Sequence, residues 1–175
     1  MRVVAVIQAR TGSTRLPGKV LAVIGDRPLF AWTIAAFRAV PVINAVVLAT
    51  TDEPADDSLA AAAGALAPVH RGSARDVLAR VWGAAAPYAP DLVVRGTADN
   101  PFPDPDVIAA QVAACAGGGF DYVGTSGYPL GIAAEVARAA ALEAAAGEAG
   151  APAEREHVMP FLYERPGRFR IGSLA

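Results

Sequence analysis

The stretch VVAVIQARTGSTRLPGK, Val3 to Lys19, decides the fold. Its first part, Val3 to Gln8, is a short apolar run of strand length, and its second, Ala9 to Lys19, is a polar loop containing glycine. In an open α/β sheet ligands bind beyond the carboxyl ends of the strands, so this loop is the first candidate site. It gathers three cations, Arg10, Arg15 and Lys19, with Gly12, Ser13, Thr14 and Gly18. Small residues let backbone N–H groups approach an anion and the cations add charge-assisted bonds, which suits a triphosphate better than a single carboxylate. A solvated basic turn has the same composition. Two familiar loops are excluded by spacing. Gly12 and Gly18 are separated by five residues and Val20 follows Lys19, so this is no Walker loop. The three glycines of a dinucleotide fingerprint are missing, so no hydride-transfer cofactor is expected.

Outward from this stretch, apolar runs continue to alternate with stretches of helical period. Pro28 suits the first turn of a helix that places Leu29, Thr33, Ala36, Phe37 and Val40 on one face. Ala45 to Thr50 reads as a strand, Asp56 and Asp57 open an alanine-rich helix, and Pro68 to His70 suits a short strand. Ser73 to Ala86 is expected to be a helix burying Val77, Leu78, Val81 and Trp82, followed by a strand at Leu92 to Gly96. Prolines at alternate positions force an extended turn over Asp99 to Asp106. A helix starting at Asp104 or Asp106 ends in Gly117 to Gly119, and Phe120 to Val123 is a further strand. Later come an extended segment at Gly131 to Val136, helices at Arg138 to Glu148 and Glu154 to Glu164, and a last strand at Phe169 to Ile171. The pattern predicts an α/β fold of three layers, a mostly parallel central sheet with helices on both faces.

The 175 residues suit one domain, and 54% hydrophobic with 18% charged residues excludes a disordered chain. Cys115, the single cysteine, can form neither an internal disulfide nor a zinc site. The first apolar run is too short for a signal peptide and Pro41 and Asn44 interrupt the next, so no membrane partner and a cytoplasmic location are expected. Fifteen Lys and Arg against 17 Asp and Glu give a net charge of −2, which argues against nucleic acid or anionic lipid as the main partner. Any bound anion should be small and held locally.

Five segments, in order, carry a resemblance: IQARTGSTRLPGK (Ile7 to Lys19), TTD (Thr50 to Asp52), RGSARDVLAR (Arg71 to Arg80), RGTADNPF (Arg95 to Phe102) and EREHVMPF (Glu154 to Phe161). They resemble motifs of the CTP-dependent cytidylyltransferases that activate sugars, especially the branch of spore coat polysaccharide biosynthesis protein F. Ala9 and Arg10 stand where related sugar pyrophosphorylases usually carry paired glycines, which favours the CTP branch. The resemblance implies the Rossmann-like fold of nucleotide-diphospho-sugar transferases and transfer of CMP from CTP to a sugar or related polar acceptor, with pyrophosphate leaving. Within one domain, residues 1–124 would be the nucleotide-binding core and 125–175 the substrate and dimerisation part.

By the same resemblance Arg10, Arg15 and Lys19 hold the triphosphate and act in catalysis with Asp99, which binds Mg²⁺. Ala9, Gly12, Ser13, Thr51, Asp52, Ser73, Asp76 and Thr97 complete the nucleotide site, and Glu135, Arg155 and His157 face the acceptor. Plainer roles exist for several of them. Asp99 and Asn100 can cap a turn before Pro101, Ser73 and Asp76 can form a variant capping box, and His157 can bond within its helix, as His70 can pack beside a strand end. Family members often pair through the region after the fifth strand, so Gly131 to Val136 and Arg138 to Glu148 are the expected contacts of a homodimer. Two departures stand out: Leu130 and Ala133 occupy positions where the family normally has Arg and Asp, leaving Glu135 as the acid of PLGIAAEV. The family also continues past the last strand into a segment with a second metal-binding Asp, whereas this sequence stops at Ala175. These departures motivate an alternative expectation, a degenerate homologue that binds nucleotide or a partner without turnover.

Overall fold

Alternation within the apolar runs sets the layers of the computed structural model, which describes residues 1–175. In β1 (Val3–Gln8), Val3, Ala5 and Ile7 enter one core and Val4 and Val6 the other, all fully buried. A strand covered on both faces must be apolar throughout, and this one is. After β1 and its loop come a single 3₁₀ turn, Lys19–Leu21, and a small hairpin of β2 (Val23–Ile24) and β3 (Arg27–Pro28). Then follow α1 (Leu29–Arg38), β4 (Ala45–Thr51), α2 (Asp57–Gly64), β5 (Val69–Gly72), α3 (Val77–Ala85) and β6 (Leu92–Thr97). The chain continues through α4 (Pro105–Gly118), β7 (Tyr122–Thr125), β8 (Glu135–Arg138) and α5 (Ala139–Glu148). It ends with α6 (Pro152–His157), α7 (Pro160–Tyr163) and β9 (Ile171–Leu174).

Seven strands form one sheet in the order β5-β4-β1-β6-β8-β7-β9, with β8 antiparallel to both neighbours and every other pairing parallel. From β1 the chain builds outward to β4 and β5, then returns across β1 to lay down β6. That reversal opens a crevice at the carboxyl ends of β1 and β6. Helices α1, α2 and α4 cover one face through Phe30, Ile34, Phe37, Leu59, Ala63, Ile108 and Val112. Helices α3 and α5 with the short α6–α7 pair cover the other through Leu78, Val81, Leu142, Met159 and Leu162. No helix is long and apolar enough to cross a membrane.

The expected three layers are present, with shifts at element ends. The strands expected at Pro68 to His70, Phe120 to Val123 and Phe169 to Ile171 lie further along the chain, at β5, β7 and β9. The helix expected from Ser73 begins at Val77, because Asp76 is the residue whose side chain accepts the Ala79 N–H. Trp82 is half-buried at the rim rather than enclosed. The helix expected over Glu154 to Glu164 is two pieces, since Val158 adopts φ 75° and Pro160 starts a new turn. The boundary expected at residue 124 falls inside β7, and β8 is inserted between β6 and β7, so the later residues complete the same sheet. With both edges of β8 already paired, its backbone cannot extend a sheet into a second copy.

Gly96 of β6 shows how tightly the cleft floor is packed: a Cβ there would overlap the ring of Phe37 from α1. Gly96→Ala is therefore expected to destabilise the protein by about 1–3 kcal/mol, read as a lower urea midpoint at unchanged slope.

Candidate active site

The loop after β1 is built from its backbone outward. The ladder runs one residue past the strands, with Ala9 N–H donating to Ala49 O (3.0 Å) and Ala98 N–H to Gln8 O (2.9 Å). The Thr11 carbonyl then accepts N–H groups from both Ser13 and Gly18, each at 2.8 Å, and closes the loop on itself. Gly18 has φ 71°, a left-handed conformation that a side chain would strain, and buried Val20 anchors the exit. Beneath the loop lies buried Asp56, which accepts the Thr11 N–H at 2.7 Å, the Thr11 hydroxyl at 2.6 Å and the Thr51 hydroxyl. Burial works to raise its carboxyl, but the bonds from Thr11 and Thr51 prevail and hold it below the usual carboxylate range.

Above this base is a cleft of about 320 Å³ lined from the ends of β1 and β6, the start of α3 and the end of α6. Six cations face it: Arg10, Arg15 and Lys19 from the loop, Arg75 and Arg80 from around the start of α3, and Arg95 from β6. Only Asp99 and Glu156 supply carboxylates. Lys19 is hydrogen-bonded to Asp99, its partner 80 positions away in sequence. Burial would raise the Asp99 carboxyl, yet bonds from Lys19 and Thr97 and the Lys19 charge outweigh it, so Asp99 is held ionised. Arg80 is almost fully buried, donates to the Ser73 carbonyl, and has an Nε with no partner. Its burial and the nearby Arg10 charge pull its pKa down. An arrangement with this excess of positive charge is made for a polyanion.

A second cavity, about 270 Å³, opens beside the first and shares Arg95 and Thr97 with it. Arg95 is ion-paired to Glu135 and donates through Nε to Gln8 at 2.9 Å, while the Tyr122 hydroxyl donates to Glu135 at 3.0 Å. Burial, with the Glu135 charge, pushes the Tyr122 phenol well up, so it remains a donor. The rest of the lining is uncharged.

Of the residues singled out in the sequence, Ala9, Arg10, Ser13, Arg15, Lys19, Thr97, Asp99 and His157 line the first cleft, and Glu135 lines the second. His157 thus lines the cationic cleft and not the second cavity, which Glu135 lines. Gly12, Thr51, Asp52, Ser73, Asp76 and Arg155 line neither. Thr51 is tucked onto Asp56, while the Ser73 hydroxyl accepts the Arg75 and Asp76 N–H groups at 3.2 and 3.1 Å. Arg155 donates to the Ala146 and Ala149 carbonyls at the end of α5, each at 2.8 Å, and pairs with Asp76 at 3.3 Å. The structure adds Gln8, Arg75, Arg80, Arg95 and Glu156 to the lining and Asp56 beneath it. Arg80 carried a readable signal, a charge set among Val77, Leu78 and Val81 on the apolar side of a helix.

The doubly covered, mostly parallel sheet with a cationic cleft at its reversal point has the Rossmann-like layout of nucleotidyltransferases. The chain belongs to the cytidylyltransferase family, whose sequence profile matches residues 4–174. Among its relatives, spore coat polysaccharide biosynthesis protein SpsF of Bacillus subtilis is 34% identical over 172 residues, covering 95% of this chain and 72% of that protein. The 3-deoxy-manno-octulosonate cytidylyltransferase of Maricaulis maris is 40% identical over 131 residues, 65% of this chain and 49% of that enzyme. A cytidylyltransferase structure from Leptospira borgpetersenii superposes with TM-score 0.90 at 31% identity, over 99% of this chain and 75% of that one.

Asp56 ties the loop to the sheet by charge, and this gives the site an acid limit. A carboxyl held below its unfolded value contributes stability that is complete above the unfolded pKa, about 3.9, and is lost as pH falls through the lower folded value. Asp56→Ala should remove that increment, cost about 1–3 kcal/mol at neutral pH by orphaning Thr11 and Thr51, and flatten the acid limb of a stability–pH curve.

Proposed function

We propose that this chain transfers CMP from CTP to a sugar or related polar acceptor. The observation that carries this reading is the cleft at the ends of β1 and β6, where six cations surround Asp99 and a second cavity opens alongside. Membership of the cytidylyltransferase family supports it, as do relatives named for spore coat polysaccharide biosynthesis and for a sugar-acid cytidylyltransferase.

An acceptor oxygen attacks the α-phosphorus, a P–O bond to that oxygen forms, the P–O bond to pyrophosphate breaks, and the acceptor proton passes to solvent. No protein nucleophile is needed, so catalysis rests on alignment and charge neutralisation. Arg10, Arg15 and Lys19 neutralise the phosphates and the departing pyrophosphate, while backbone near Ala9 and Ser13 meets the nucleotide. Arg75 and Arg80 add positive charge from the opposite wall. The acceptor enters from the second cavity, so Arg95 and Thr97 stand at the junction of the two substrates.

Asp99 suits magnesium. A triphosphate that draws off Lys19 leaves Asp99 ionised and without its cation, and Mg²⁺ commonly takes one or two carboxylates with phosphate oxygens and water completing its shell. Bound there, the ion would offset phosphate charge in the transition state.

With CTP, MgCl₂ and a panel of neutral sugars, sugar acids and sugar phosphates, at least one acceptor should release pyrophosphate in a coupled assay. Lys19→Ala should cut that rate by about 10²-fold or more. Absence of pyrophosphate across the whole panel overturns the reading.

A further inference from the structure

We infer that the acceptor is an uncharged polyhydroxyl compound with an apolar flank, and not a sugar acid or a sugar phosphate. This names the substrate class for the second cavity and rests on the transferase reading above.

The cavity contains just two charged side chains, Arg95 and Glu135, and they are paired with each other. Their side chains are 13% and 27% exposed, so water screens the pair weakly. Gln8 and Tyr122 hold the two partners from either side, at 2.9 and 3.0 Å. An anionic acceptor meets an Arg95 whose charge Glu135 already balances, and drawing the guanidinium fully onto itself would leave a half-buried carboxylate without its cation, which is costly. A hydroxyl can bond to the outer edge of the pair without separating it. The remaining polar lining is neutral as well: Thr97, Asn100 and Thr125 offer hydroxyl and amide groups, and Asn100 Nδ2 already donates to the Thr97 hydroxyl at 3.1 Å.

The outer wall points the same way. Leu130 is fully exposed to solvent at the cavity rim, next to Pro129 and half-buried Ala133, so an apolar surface faces whatever enters. An isolated exposed leucine needs no explanation, but one placed on the wall of a substrate-sized cavity can cover a methyl or deoxy carbon. Five of the six cations line the first cleft alone, where a triphosphate would consume their charge. What is left for the acceptor is a neutral, partly apolar cavity.

Saturation-transfer NMR tests this with the first cleft filled by the α,β-methylene analogue of CTP and with fucose, glucose, glucuronic acid and glucose 6-phosphate as probes. Calorimetry with the analogue alone provides the separate readout of the nucleotide site. Fucose and glucose are expected to bind at least about tenfold more tightly than the two anions, fucose the better of them. Glu135→Gln should release Arg95 and improve glucuronic acid by about tenfold or more. Leu130→Lys, a change at a fully exposed position that leaves the fold alone, should favour the same probe. Tighter binding of either anion by the unaltered protein, or no binding of the neutral sugars, overturns the inference while analogue binding still supports the transferase reading. If the analogue itself does not bind, that reading falls and the inference with it.

Discussion

The parallel pairing of β1 with β6 is the constraint on which the site depends. Gln8 lies opposite Thr97, and both strands end at the same level. Residues 9–19 and residues 98–99, far apart in sequence, therefore emerge side by side, and Lys19 meets Asp99. The register is fixed because β1 is buried on both faces: a slip by one residue would exchange Val3, Ala5 and Ile7 for Val4 and Val6 between the two cores and break the close approach of Gly96 to Phe37. The reversal of strand order at this point keeps a crossing connection from covering the crevice.

Charge is distributed as a small-anion site requires. A chain of net charge −2 places six cations around one cleft and only two carboxylates with them. Such crowding of like charge opposes folding, and polar partners around the cleft hold it in place. Asp56 secures the loop from below, the Ser73 carbonyl takes Arg80, and Gln8 and Glu135 fix Arg95. The Lys19–Asp99 pair, partly exposed, contributes little to stability; its importance is that both groups are already aimed at the same space.

Much of this was legible in the sequence because it is local. A run of strand length followed by a glycine-containing cationic loop marks β1 and its site, and Asp99 stands out at the end of a second apolar run. Residues whose roles arise from tertiary pairing were not legible. Arg95 has no assigned partner in the sequence pattern, and only the pairing of β8 with β6 brings Glu135 beside it. Asp56 reads as a helix opener, and only folding slides it beneath Thr11. Ser73 and Asp76 take the plainer capping role open to them in the sequence, bonding backbone N–H groups at the start of α3, and Arg155 ties that start to the end of α5 through Asp76 and the Ala146 carbonyl. The break at Val158 has a weak local signal in Pro160, and the β2–β3 hairpin a clearer one in Gly25 and Asp26 between two short extended pairs.

The central claim is that one nucleotide triphosphate lies across the loop after β1, with its α-phosphate turned toward the second cavity. A crystal structure with α,β-methylene CTP and Mg²⁺ tests it most directly. The account predicts phosphate oxygens bonded to Lys19 and Arg15, the metal on Asp99, and the α-phosphorus facing Arg95 and Thr97. A nucleotide bound outside this cleft, or phosphates out of reach of Lys19 and Asp99, would contradict it.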